Sequence, residues 1–444
     1  MKRLIQTKNP GTFALGSLTI LCALAILSVG QLPIAAAQAN WAQTYYNAAH
    51  TGYNPSETTL GVGNVSSLQL LWSTSVAGGV TAFVVDGGVV YATGQSNNLV
   101  ALNASTGALK WTANTGGNNY SGPPNSPTIA VGGGLVFTEC FFSAESGYSG
   151  ICAYRASTGK RVWQWSDPCN CLPESGVSAP LVYADGQVYF GYAYGGTTHN
   201  LGLHAVEASS GAQLWIALQE DNNGWSVGGP AFAGNQVFVE GNSYGNGSTY
   251  ALAPASGNTD WASPLTNPNN SAISVSGNVI YVSTEWNGAG AAVYALNATT
   301  GAALWSYTYG GENFFGAADA PSPPAVATNV VYFTGVDRNL YALHTKTGDL
   351  LWSNLPSTTG YGGFLGSPSV ANGVVYVSGG ALPVPNTSAY NAKTGALLWS
   401  SPSSPSTLIT APEIVNGVLY FASPGDSICQ SICAYSVPAK MQNE

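Results

Sequence analysis

Charge is the scarcest property of this chain. Asp, Glu, Lys and Arg make up only 7% of its 444 residues, against roughly a quarter of an ordinary soluble domain. Basic residues number 11 against 20 acids. Three of the 11 (Lys2, Arg3 and Lys8) stand in the first ten residues, and the rest, from Lys110 to Lys440, are scattered. With no basic patch to displace phosphate counterions, nucleic acid is excluded as a partner and a bare anionic lipid surface is disfavoured. Histidine occurs four times, as His50, His199, His204 and His344, without clustering. His204 and His344 fall in repeated strands, so no metal centre is expected from them. No Gly-x-Ser-x-Gly elbow, zinc spacing, phosphate loop or Cys-x-x-Cys-His is present, which leaves the chemistries built on those motifs without a carrier.

What is abundant is apolar, aromatic and small. The chain is 45% hydrophobic, with 55 Gly, 24 Tyr and 12 Trp, the profile of a turn-rich all-β protein with a large core. Residues 1–39 read as a signal peptide: a basic start, an apolar run from Phe13 to Gly30, and small-residue cleavage sites at Ala35-Ala36-Ala37 or Ala37-Gln38-Ala39. An uncleaved anchor is the alternative. Leu21 before Cys22 argues against lipidation. The expected product is a secreted or extracytoplasmic monomer, residues 40–440, with no stable membrane insertion after cleavage. Its six cysteines then read as disulfide candidates. Cys140 with Cys152, and Cys429 with Cys433, fall at matching hairpins; Cys169 and Cys171 either pair across one residue or stay free.

One unit recurs along the chain. It reads LVALNASTGALKW at 99–111, VYALNATTGAALW at 293–305 and LYALHTKTGDLLW at 340–352, with four further copies. Its tryptophans are Trp72, Trp111, Trp163, Trp215, Trp261, Trp305, Trp352 and Trp399, at spacings of 52, 52, 46, 44, 47 and 47 after the first gap. Each unit carries a short strand after a proline, a tight Asn-Gly or Asp-Gly turn into an aromatic-ended strand, a Tyr-Ala-Leu strand, and a Thr-Gly turn into the Trp strand. Four strands per roughly 45 residues predict one blade of a β-propeller per unit. The last unit (411–437) lacks a Trp strand, and Leu70-Leu71-Trp72 lacks a unit before it. An all-β, eight-bladed propeller of four-stranded antiparallel blades, closed by the N-terminal strand, satisfies both. The eight tryptophans recur with the structural period and are read as packing between blades.

The pattern Ala-Leu-Asn/Asp-x-x-Thr-Gly-x-x-x-Trp over 79–437 resembles the repeat of the PQQ-repeat, or quinoprotein-like, propellers. It departs from it at Ser210-Gly211 and Ser256-Gly257. The resemblance implies one of two things. Alcohol and sugar dehydrogenases of the family bind pyrroloquinoline quinone (PQQ) and Ca²⁺ at the axis beside a catalytic Asp; the lipoprotein scaffold of the outer-membrane barrel-assembly machinery binds no cofactor. The additional segments of the dehydrogenases and their adjacent-cysteine ring have no counterpart here, so no cofactor is expected.

In a propeller the interblade links share one face with the turns between second and third strands, and the Thr-Gly turns lie on the other. The interblade links are aromatic and acidic, and supply a candidate binding face: Tyr120, Glu174, Glu220, Asp221, Trp225, Glu312, Phe314, Asp319, Tyr361 and Phe364. Flat rings beside carboxylates suit a glycan or an extended protein segment. Trp225 and Trp286 stand outside the repeat register and are the leading anchors. For PQQ with Ca²⁺, the clusters Glu220/Asp221/Asn222 with Trp225, or Glu312/Asn313 with Asp319, would have to serve. No catalytic residue and no metal ligand is assigned.

Overall fold

The computed structural model describes residues 40–116, 128–142, 149–166, 175–177, 180–194, 202–219, 226–243, 246–265, 272–284, 291–309, 322–335, 337, 339–354, 363–364, 366–380, 386–402, 410–423 and 428–438. They form eight antiparallel sheets of a β-propeller, and the one helix among them is the single 3₁₀ turn Val65–Ser67. Blade 1 is typical, with strands Val80–Asp86, Val89–Gly94, Asn98–Asn103 and Leu109–Asn114 running from the inside outwards. Ring closure follows the two half-units: Gln69–Thr74 pairs antiparallel with Ile432–Ser436 as the outer strand of blade 8.

Two local rules of sequence recur, the first in all eight blades and the second in blades 1 to 7. First, the outer strand slips register by one residue just before its tryptophan, opposite the Ala of the Tyr-Ala strand. The extra residue is Leu71, Lys110, Val162, Leu214, Asp260, Leu304, Leu351 or Leu398. A bulge of this kind kinks an exposed edge and spoils it as a template for another strand. Second, the Thr-Gly glycine lies on the preceding blade's tryptophan. Gly301 has φ +71°, and a Cβ there would stand 2.6 Å from Trp261. The site therefore demands glycine twice over, for backbone conformation and for space.

The indoles also join blades by hydrogen bonds. Trp111 Nε1 donates to Ala156 O at 2.9 Å, and Trp72, Trp163, Trp215, Trp261, Trp305 and Trp352 make the same bond to the following blade at 2.8–3.1 Å. Trp399 packs edge-on to Tyr435, with centroids 5.4 Å apart.

The inner strands differ from four simple ladders. In blades 3, 4 and 7 a second piece (Ser175–Val177, Ser226–Val227, Gly363–Phe364) pairs with the same second strand ahead of Val182–Ala184, Ala231–Ala233 and Ser369–Ala371. Pro180, Pro230 and Pro368 separate the pieces, because proline has no N–H to give the ladder. Blade 7 gains one more strand, Tyr53–Asn54, pairing parallel with Val370 and Ala371.

Candidate functional site

Position along the second strand decides which polar groups reach the interblade-loop face. The second residue after the aromatic of that strand is Thr93, Glu139, Gly191, Glu240, Ser283, Thr334, Ser378 and Ala422 in blades 1 to 8. In blades 5 and 6 its hydroxyl fastens the link entering the next blade, whereas Thr93 and Ser378 bond within their own blades, to Ala82 O and Thr387 Oγ1. Ser283 Oγ donates to Ser322 O at 2.9 Å and Thr334 Oγ1 to Gly366 O at 3.2 Å. Blades 2 and 4 place buried carboxyls there instead. Glu139 accepts from Ser149 Oγ, whose oxygen also accepts the Val177 N–H of blade 3. Glu240 accepts from Thr249 Oγ1, and its second oxygen has no hydrogen-bond partner. Burial raises the Glu240 carboxyl to about 8 against the opposing Thr249 hydroxyl, so it is a neutral acid at pH 7. Among the described residues no cluster of three His, Cys, Asp or Glu could hold a metal ion.

Two hairpins on this side are stapled, Cys140 to Cys152 (Cα–Cα 5.7 Å) and Cys429 to Cys433 (5.6 Å). At the blade 2–3 interface Trp165, outside the repeat register, meets Phe190, His204 and Tyr192 with centroids 4.8, 4.9 and 5.4 Å away. His204 is buried in that aromatic box, near Gln213 Oε1 at 3.3 Å. Asp337, in the turn between second and third strands of blade 6, accepts from Tyr341 Oη, Asn339 N and Asn339 Nδ2.

The axis holds a feature that the repeat does not announce. Residues 41–54 bond to the inner strand of each blade in turn. Val85 N donates to Trp41 O (3.0 Å), Val131 N to Ala42 O (2.7 Å) and Tyr183 N to Gln43 Oε1 (2.9 Å). Phe232 N then donates to Ala48 O (2.6 Å), Val275 N to Ala49 O (2.8 Å), Val326 N to Thr51 O (2.8 Å) and Val370 N to Gly52 O (2.7 Å). At blade 8 the sense reverses, and Asn54 Nδ2 donates to Ile414 O at 2.7 Å. Glu57 completes the attachment, accepting from Gly417 N, Thr59 N and Leu60 N. All eight contacts lie near the end of the inner strand, beside the first-to-second-strand turn, so the segment occupies the axis at the face opposite the interblade loops.

The segment is conformationally costly. Tyr45, Tyr46 and His50 hold φ of 64°, 85° and 54°, where a side chain costs on the order of 1–2 kcal/mol per residue. His50 is 2% exposed, with Nδ1 3.2 Å from Ile273 O. A carbonyl can only accept, so Nδ1 carries the proton and the neutral ring leaves Nε2 bare. Burial lowers its pKa to about 4. Its ring stands edge-on to Tyr45 at 5.3 Å. Sequence reasoning about the repeat passed over this segment; the asparagines that turn it, Asn47 onto Ala49 N and Asn54 onto Ser56 N, are the signal that it is ordered.

The residues read as a binding face fall where the chain is not described. Tyr120, Glu174, Glu220, Asp221, Trp225, Glu312, Phe314, Asp319 and Tyr361 lie outside the described residues, as do Trp286, Cys169 and Cys171. Phe364 is placed as backbone, opposite Gly379.

The family model described as outer membrane protein assembly factor BamB matches residues 62–245 and 199–381, well over half of the chain. The chain belongs to this PQQ-repeat family. No curated protein matches it at a significant level. Among solved structures, this PQQ-repeat propeller is similar to quinohemoprotein alcohol dehydrogenase from Comamonas testosteroni: TM-score 0.66, 16% identity, 90% of this chain and 81% of that one. It is similar also to BamB from Moraxella catarrhalis: TM-score 0.58, 16% identity, 84% of this chain and 98% of that one. The computationally designed Ika8 protein aligns over 83% of this chain and 100% of its own, with TM-score 0.62 and 14% identity. At such identities the likeness is one of fold. Among the described residues no helix is long and apolar enough to cross a membrane.

Proposed function

We propose that this PQQ-repeat propeller is an exported, non-catalytic binding scaffold that grips a glycan or a protein through its interblade-loop face. The observation that carries the reading is the occupied axis. At the turn face the protein's own residues 41–57 use the inner-strand amides, and the outer edges are bulged, which leaves the loop face for a partner. Aromatic and acidic links there, with Trp225 foremost, supply stacking area beside hydrogen-bonding groups. Buried hydroxyls and two disulfides underpin the strands that carry those links. The family description, an outer-membrane-protein assembly factor, supports a protein as the occupant.

A quinone-dependent dehydrogenase is the second reading, favoured by the likeness to quinohemoprotein alcohol dehydrogenase. The described residues offer PQQ and Ca²⁺ no fitting donor set, since no three His, Cys, Asp or Glu gather among them and burial raises the Glu240 and Glu413 carboxyls, disfavouring their charged form. A site for them would have to come from the Glu220–Trp225 or Glu312–Asp319 links. A structural role at the cell surface is the third reading. Purified protein is titrated with oligosaccharides and with unfolded outer-membrane protein segments, and separately with PQQ and Ca²⁺ plus an alcohol or sugar and a redox dye. The expected result is saturable binding that Trp225→Ala weakens at least tenfold, with no dye reduction. Saturable turnover would overturn the scaffold reading, and binding indifferent to Trp225 would overturn the assigned face.

A further inference from the structure

Neighbouring blades touch through the indoles, the Thr-Gly turns and the hydrophobic interfaces, and each such contact joins one blade to the next. An array held that way behaves as a chain of nearest neighbours, able to fray blade by blade. Residues 41–57 are different: among the described residues they are the one segment bonded to all eight blades. They also make the circuit in sequence order, Trp41 at blade 1 through Asn54 at blade 8.

The contacts are complementary in a way that chance packing does not supply. Inner strands of a propeller present an inward edge of unpaired N–H groups, and leaving a buried N–H without an acceptor is destabilising. Seven of the eight blades give that N–H, at the equivalent place, to an oxygen of the segment. Side-chain contacts lock the circuit between them. Gln43 Nε2 returns a bond to Tyr183 O at 2.8 Å, and the one Ser274 hydroxyl proton is shared between His50 O, 2.8 Å away, and Pro324 O of the next blade. Gly52 has no room for a side chain, since a Cβ would come within 2.9 Å of Ala325 Cβ and 3.0 Å of Pro368 O. Three residues hold positive φ to keep the path, a strain that persists only where the surroundings over-determine it.

We propose that residues 41–57 are a circumferential clasp that couples all eight blades into one cooperative unit, so that loosening it at one blade loosens the ring everywhere. The clasp shares with the binding reading above the observation that residues 41–57 occupy the turn face, but it claims cooperativity rather than binding, and its test needs no ligand.

Hydrogen exchange on the full chain tests it. The seven amides of Val85, Val131, Tyr183, Phe232, Val275, Val326 and Val370 should exchange with one common protection factor, within about threefold. Asn54→Ala, which removes the bond to Ile414 of blade 8 and leaves only that of Glu57 to Gly417, should speed all seven by tenfold or more, including Val85 and Val131 across the seam and beyond it. Acceleration confined to blades 7 and 8 would overturn the proposal. If Asn54→Ala does not fold, the parent protein still decides: seven amides with widely different protection factors would show blades opening singly, and the clasp would be refuted.

Discussion

At the scale of single residues, two buried titratable groups make opposite demands on pH. Glu240 is raised to about 8 in the folded protein from an ordinary value of 4.5. Its contribution is complete below pH 4.5 and is lost as pH rises through 8, because the unfolded chain ionises first. His50 is lowered to about 4 from 6.5, so its contribution is complete above pH 6.5 and is lost as pH falls through 4. Glu240→Gln should therefore flatten the loss of thermal stability between pH 4.5 and 8, by on the order of 4 kcal/mol over the window. Glu413, buried at the inner strand of blade 8 and raised for the same reason, keeps part of that slope. His50→Gln should flatten the acid limb alone. Melting temperature against pH for the three proteins checks both, and a slope unchanged by the Glu240 substitution would refute its assignment. The Thr-Gly glycine gives a second measurable contrast. Gly301→Ala meets both the positive φ and the Trp261 ring, whereas Gly277→Ala, at φ +58°, meets nothing within 4 Å. Urea unfolding should show a loss of about 1–2 kcal/mol at Gly277 and about 2–4 kcal/mol at Gly301. Equal losses would mean that the indole yields freely.

At the scale of elements, legibility followed repetition. Tryptophans 44–52 residues apart are visible in the bare sequence, because each marks a hairpin whose partners lie within the same unit. The ring-closing strand was legible from Trp72 standing without a unit. The second pieces of the inner strands were not, since Ser175–Val177 and Ser226–Val227 carry no run of β-formers and lie before the proline. The clasp was hidden for a stronger reason. It is held largely through its backbone carbonyls, which any sequence supplies, and by strands that follow it by up to 360 residues. Of the candidate site, the repeat identifies which links leave the regular pattern, and so which side chains are free to vary. It says nothing of how those links come together. Replacing Gln69–Thr74 with a six-residue Gly-Ser stretch, while keeping residues 41–57, should leave Ile432–Ser436 as an unbulged free edge and draw the protein into larger species than the parent forms. Light scattering after size exclusion reads this out, and a mass unchanged from the parent would show that the strand is dispensable for closure.

At the scale of the whole molecule, the ring is closed twice, once at its outer rim in blade 8 and once around its axis. The inner circuit has a consequence in time. Synthesis delivers residues 41–57 first, yet their last anchors, Ile414 and Gly417, lie 360 residues further on. The head of the chain therefore waits for the tail, and no intermediate made of the early blades can be finished. Contacts of such span make assembly slow. Completion is deferred until the final blade has been made.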